Sequence, residues 1–188
     1  MRTGRLIAFA LGLVFCSLAA TIPRPAPEFV ITLPNGKQTL LSQYRGKIVA
    51  LAFISTTCPH CQRLTQALTG IQKDYAPRGV QVLETAINQG AAQLVPAFIQ
   101  QYRTNFPTGY SDWNMVMEFL QISIMSPGYL PKMVFVDRKG VIQAQYAGEN
   151  PFFADQDQDK NVRAELDKML QAAAIGARKS APRKAASK

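Results

Sequence analysis

The chain predicts an α/β domain with a central mixed β-sheet flanked by helices, an N-terminal β-hairpin and a short inserted strand-helix segment. Three observations carry this. Ile48 to Ile54 is a continuous apolar run, the pattern of a strand covered on both faces. A polar bend then leads into Cys58-Pro59-His60-Cys61, after which Leu64, Leu68, Ile71 and Tyr75 recur at helical spacing. Beyond that helix, apolar strand-like and helix-like segments alternate, the arrangement that places helices on the faces of a sheet. The 188 residues suit a single domain, given the usual range of about 100–200 residues each.

Residues 1–20 stand apart. Arg2 and Arg5 precede the apolar stretch Leu6 to Phe15, and small residues follow. This is the pattern of an export signal cleaved after Ser17-Leu18-Ala19 or the next residue, and the stretch is shorter than the ~20 residues of a membrane span. Cys16 raises the question of a lipid anchor, but Phe15 is bulky where such a site takes a small residue. With the signal removed, the mature chain keeps Cys58 and Cys61 alone.

Residues 21–27 are proline-rich and read as a linker, and 28–175 as the folded domain. Phe29 to Leu33 and Gln38 to Leu41 flank Asn35-Gly36, a hairpin signal. Gly79 ends the helix after the cysteines, and Val80 to Ile87 reads as a second core strand. Leu94 to Phe106 is helical in period, with Pro96 early, where proline is tolerated. Asp112 to Ile122 reads as another, amphipathic helix. Asp137-Arg138-Lys139-Gly140 is a turn joining Met133–Val136 to Val141–Tyr146. The final helix is expected over Val162 to Ala173, with acids before its start as the helix dipole prefers. Residues 176–188, with Arg178, Lys179, Arg183, Lys184 and Lys188, read as a disordered basic tail.

The formal net charge is +9. Signal and tail hold much of it, so the folded body is close to neutral. A nucleic-acid binder needs a basic folded face, and this chain has basic ends. The tail could touch anionic lipid at about 1 kcal/mol per basic residue, but reads as a solvated end.

The chemistry centres on the C-x-x-C. Pro59 suits the first helical position, where its missing N–H is surplus. Cys58 thus sits at a helix N-terminus, where free N–H groups and the dipole favour an anion, and the thiolate is the nucleophile of disulfide exchange. His60 can add a donor or a positive charge. Structural zinc takes four N or S ligands, whereas the chain has three cysteines and one histidine. Haem attachment needs histidine at position 62, which is Gln62. A purely structural disulfide across two residues stabilises little. The pair therefore reads as a redox dithiol with no cofactor and no metal.

Strand, bend, C-x-x-C and helix together resemble the thioredoxin superfamily. The Pro59-His60 dipeptide is similar to the DsbA type. The hairpin and the Leu41-Ser-Gln-Tyr-Arg-Gly46-Lys47 bend before the core strand resemble exported TlpA- and ResA-type proteins. The resemblance implies a thioredoxin-like fold, with Phe106 to Tyr110 as the short inserted strand, and thiol–disulfide exchange with cysteine-containing exported proteins and a membrane redox partner. It implies a monomer and no nucleic-acid partner. It makes Leu130-Pro131 the second landmark, a cis-proline loop beside the reactive sulfur. Leu130, Pro131 and Pro59 would then shape the substrate groove, while Cys58, Cys61 and His60 carry the chemistry.

The chain also departs from that pattern. Ala52 stands where thioredoxin has an acid below the second cysteine, Leu64 where ResA-type proteins have a glutamate, and Thr57 where an aromatic precedes the first cysteine. Glu84, in the second core strand, either substitutes for the missing acid or faces solvent, the more ordinary place for a strand glutamate. Pro59-His60 and the missing acids point to an oxidant or isomerase, the scaffold to a reductant. A thiol peroxidase is the alternative enzyme, but the peroxiredoxin pattern would need Pro and Thr at Leu51 and Ser55. A metal carrier or chaperone of this fold is the non-catalytic alternative, and copper carriers use a different cysteine spacing with a second histidine.

Overall fold

The computed structural model describes residues 21–180. Its frame is an eight-stranded mixed sheet ordered β1-β8-β7-β4-β5-β6-β2-β3. The strands are β1 (Arg24–Pro25), β2 (Val30–Thr32), β3 (Gln38–Leu40), β4 (Ile48–Ile54), β5 (Val80–Ala86), β6 (Thr108–Tyr110), β7 (Lys132–Val136) and β8 (Val141–Tyr146). β4 pairs in parallel with β5 and antiparallel with β7. The helices are α1 (Pro59–Tyr75), α2 (Ala91–Tyr102), α3 (Trp113–Leu120) and α4 (Gln158–Ser180).

β4 is apolar throughout because both of its faces are covered. Ala50, Ala52 and Ile54 lie in one cluster with Leu64, Leu68 and Ile71 of α1 and Val162 and Leu166 of α4. Val49, Leu51 and Phe53 join a second cluster on the other face, with Phe29, Ile31 and α3 residues Val116, Phe119 and Leu120. The hairpin forms as expected, β2 with β3, and the Asp137 turn joins β7 to β8. The Asp137 carboxylate holds that turn by accepting from the N–H groups of Lys139 and Val141.

Several expected boundaries move. The 21–27 stretch is not a free linker, because Arg24–Pro25 adds to β8 as an edge strand, the sheet position in which proline is tolerated. Arg24 is buried there, donating to Phe119 O at 3.0 Å and Gln145 Oε1 at 2.9 Å. α2 begins at Ala91 and stops at Tyr102, where Arg103 takes a left-handed conformation, so Pro96 lies inside the helix. α3 starts one residue after Asp112, whose side chain caps it by accepting from Asn114 N and Met115 N. α4 runs on through Ser180, so 176–180 is helix and not tail. The alanines at 172–174 and Ala177 are strong helix formers. The expected signal and its cleavage site, and Arg183, Lys184 and Lys188, lie outside the described residues. Among the described residues no helix is long and apolar enough to cross a membrane.

Candidate active site

The bend after β4 is braced from two sides. Thr56 N–H donates to Asn88 Oδ1 (2.9 Å), and Gln62 Nε2 donates back to Thr56 O (2.9 Å). These bonds set Cys58 as the N-cap of α1, in extended backbone, with Pro59 at the first helical position. Cys58 has no side-chain capping bond, so its sulfur sits beside the helix N-terminus, where an anion is favoured. Both cysteines are free thiols; Cys58 is half-buried and Cys61 buried.

Cys61 lies behind Cys58, fully covered, with Ser55 N–H 3.5 Å from its sulfur. Burial pushes the Cys61 thiol well above its ordinary value, and contact with Cys58 and the charge of Glu84 push it further. The two sulfurs are thus unequal: Cys58 meets solvent and Cys61 holds its proton.

Of the two places open to Glu84, the structure takes the buried one and not the solvent-facing one. Glu84 is 0% exposed, on the face of β5 shared by Val80, Val82 and Ala86, and in register with Ala52 of β4. The acid missing at position 52 is therefore supplied one strand over, beside a methyl group. Thr65 donates to Glu84 Oε1 at 2.7 Å, and its hydroxyl is also 3.0 Å from Cys61 O. Glu84 Oε2 is buried without a partner. Burial, opposed by the hydrogen bond from Thr65, pushes the Glu84 carboxyl up to about 8. The periodicity of β5 held the clue, since a charged residue inside a strand flanked by parallel neighbours and covered on both faces is forced inward.

Opposite Cys58 stands the loop before β7. The Leu130-Pro131 bond is cis, and Leu130 O lies 3.9 Å from Cys58 Sγ. The expected juxtaposition across some seventy residues is present. Between these walls runs an open groove of about 690 Å³, lined by Cys58, His60, Trp113, Tyr129, Leu130 and Phe153 among others, Pro131 included. Pro59 is exposed and lies outside that lining, because the first helical position turns its ring to solvent. His60 is exposed, and its Nδ1 lies 2.7 Å from Asp155 Oδ1 on the far wall. Arg63 reaches the same carboxylate at 2.6 Å. Hydrogen bonds from Arg63 and His60 hold Asp155 below the usual carboxylate range. Among the described residues no cluster of His, Cys, Asp and Glu could hold a metal ion.

Residues 22–145 match the sequence pattern of the AhpC/TSA family. The chain belongs to that family. It is 30% identical over 131 residues to a thiol-disulfide oxidoreductase ResA of Geobacillus kaustophilus, covering 69% of this chain and 71% of that one. A ResA of Bacillus anthracis is 28% identical over 129 residues, covering 68% and 70%. Among solved structures, a thiol:disulfide interchange protein of the thioredoxin family from Chlorobium tepidum superposes with a TM-score of 0.64. It is 22% identical and the match covers 81% of this chain and 99% of that one. The AhpC/TSA member described here therefore has the thioredoxin-like fold, with its cysteine pair at the end of β4, and its relatives are thiol–disulfide oxidoreductases.

Proposed function

We propose that this AhpC/TSA-family chain is an extracytoplasmic thiol–disulfide oxidoreductase that exchanges disulfides with cysteine-containing polypeptides through Cys58 and Cys61. One observation carries the reading: an accessible cysteine at a helix N-cap faces a backbone carbonyl across an open groove, with its partner thiol sealed behind it. In the reducing direction, the Cys58 thiolate attacks a substrate disulfide. One Cys58–substrate bond forms and the other substrate sulfur leaves as thiolate. Cys61 then attacks the Cys58 sulfur, the Cys58–Cys61 disulfide forms and the second substrate thiolate departs. The dithiol loses two electrons and the substrate gains them. Oxidation of a substrate dithiol is the reverse.

The second step needs the Cys61 proton removed from a site that water does not reach. Glu84 supports that role, because a buried carboxyl titrating near 8 is, in the fraction ionised at neutral pH, a stronger base than an ordinary carboxylate. Its unpartnered Oε2 leaves a lone pair for the proton. The same carboxyl returns the proton in the reverse direction, so an acid is present after all and the absence of one no longer argues for an oxidant.

The export pattern at residues 1–20 supports placement outside the cytoplasm, where one redox-active pair is a catalytic couple. A membrane redox partner would regenerate the pair, and a monomer suffices for the site as built. The test is catalysed reduction of insulin by dithiothreitol, with trapping of polypeptides on a Cys61→Ala variant. Acceleration abolished by Cys58→Ala, with mixed disulfides accumulating on Cys61→Ala, is expected. No acceleration and no trapped polypeptide would overturn the proposal, and peroxide consumption at a higher rate than insulin reduction would favour the peroxidase alternative.

A further inference from the structure

Lys132 has no part in the exchange just described, yet it is buried directly behind the groove. It opens β7, opposite Phe53 of β4, and is 1% exposed. Its ammonium donates to Tyr129 O at 2.8 Å. Burial pulls the Lys132 ammonium below its ordinary value, opposed by the charge of Glu149. Glu149, from the loop after β8, accepts from Tyr129 N–H at 2.8 Å. Gly148 N–H also reaches Tyr129 O, at 3.3 Å. Both backbone polar groups of Tyr129 are thus gripped, the carbonyl by a cation and the N–H by an anion.

The two loops are built to come this close. A Cβ on Gly148 would stand 2.6 Å from Tyr129 C and O. Gly128 has φ +67°, and a Cβ there would lie 2.5 Å from Glu149 Oε1. Only glycine serves at both positions. The next residue in the loop is Leu130, whose carbonyl faces Cys58. A buried lysine is costly to keep unless its charge is used, and here its ammonium donates to this loop.

We propose that Lys132 and Glu149 are positioning residues that fix the Tyr129–Leu130 backbone as the edge along which an extended polypeptide substrate lies, and so set affinity for polypeptide over small disulfides. The proposal rests on the thiol–disulfide exchange reading. Neither residue touches the reacting sulfurs, so neither affects the intrinsic reactivity of Cys58.

Lys132→Met and Glu149→Ala test it. Lys132→Met leaves no buried charge unpaired, because Glu149 is exposed, and replacing a buried charge by an apolar group is often neutral in stability. The exposed Glu149 gives a second variant that does not endanger the core. Steady-state exchange with reduced or oxidised insulin chains is compared with reduction of the small disulfide 5,5′-dithiobis(2-nitrobenzoate). Both variants should raise KM for the polypeptide about five- to twentyfold, with kcat and the small-disulfide rate within about twofold, and denaturant midpoints unchanged. Glu149→Gln, which keeps the acceptor for Tyr129 N–H, should restore most of the affinity. An unchanged polypeptide KM in both variants, with the wild type active, overturns the clamp alone. A parallel fall in the small-disulfide rate overturns it too, since the effect would then lie on the sulfur. A wild type inactive towards both disulfides overturns the exchange reading itself, and the clamp with it.

Discussion

Glu84→Gln is the perturbation that the buried site makes most quantitative. The carboxyl titrates at about 8 in the folded protein against an ordinary 4.5, so the folded state holds a proton that the unfolded chain releases. Stability from this group is fully present below about pH 4.5, falls as pH rises, and is lost above about pH 8. At about 1.4 kcal/mol per pH unit, the gap amounts to roughly 5 kcal/mol, an upper value that water entry reduces to about 2–4 kcal/mol. Glutamine matches the protonated acid in shape and can keep the Thr65 contact, so the variant should lie within about 1 kcal/mol of wild type at pH 5. At pH 8.5 it should be the more stable by about 2–4 kcal/mol, read from urea unfolding of the reduced protein. On the proposed mechanism the same change removes the proton acceptor for Cys61. Release of substrate from the mixed disulfide should slow by about 10²-fold at pH 7, within the usual range for a general base, and its inflection near pH 8 should vanish. A stability difference between the two proteins that is flat across pH 5–8.5 would refute the buried-carboxyl account. A pH-dependent difference with unchanged resolution kinetics would refute only the catalytic part.

Three further outcomes follow from the same structure. Thr65→Val deletes a hydrogen bond that lowers the Glu84 value, so the Glu84-linked stability change should move to higher pH and the fold should lose about 1–3 kcal/mol. An unshifted urea–pH profile would show that Thr65 does not hold the carboxyl. With iodoacetamide, Cys58 in Cys61→Ala should be alkylated at least about 100-fold faster than Cys61 in Cys58→Ala, since the fully covered Cys61 must wait for local opening; comparable rates measured by mass spectrometry would contradict the sealed site. Arg24→Ala removes the buried guanidinium that ties β1 to Phe119 O and Gln145, at a cost of about 1–3 kcal/mol, and an unchanged unfolding midpoint would show that β1 is not anchored through it.

The sequence alone determined the part of this protein that is local. The apolar run of β4, the bend and the proline at the first turn of α1 specify strand, cap and helix within thirty residues, because period, turn chemistry and the requirement for N–H at helix ends are short-range constraints. One histidine and three cysteines bounded the chemistry just as directly. Tertiary structure decided what depends on neighbours. Alternation along β5 puts Glu84 on the face of Val82 and Ala86, but only the parallel register with β4 sets it beside Ala52. Tyr129 is gripped by Lys132 and Glu149 because two loops joined by β7 and β8 meet at glycines, a proximity with no periodicity to betray it. His60 reads from the sequence as a residue that tunes the sulfur, and the tertiary structure adds what no local pattern shows, Asp155 beside its ring from ninety-five residues away. The strand at Arg24–Pro25 follows the same rule: a proline-rich stretch carries no strand pattern of its own, and it pairs because β8 offers a free edge and Arg24 finds buried acceptors across the second core.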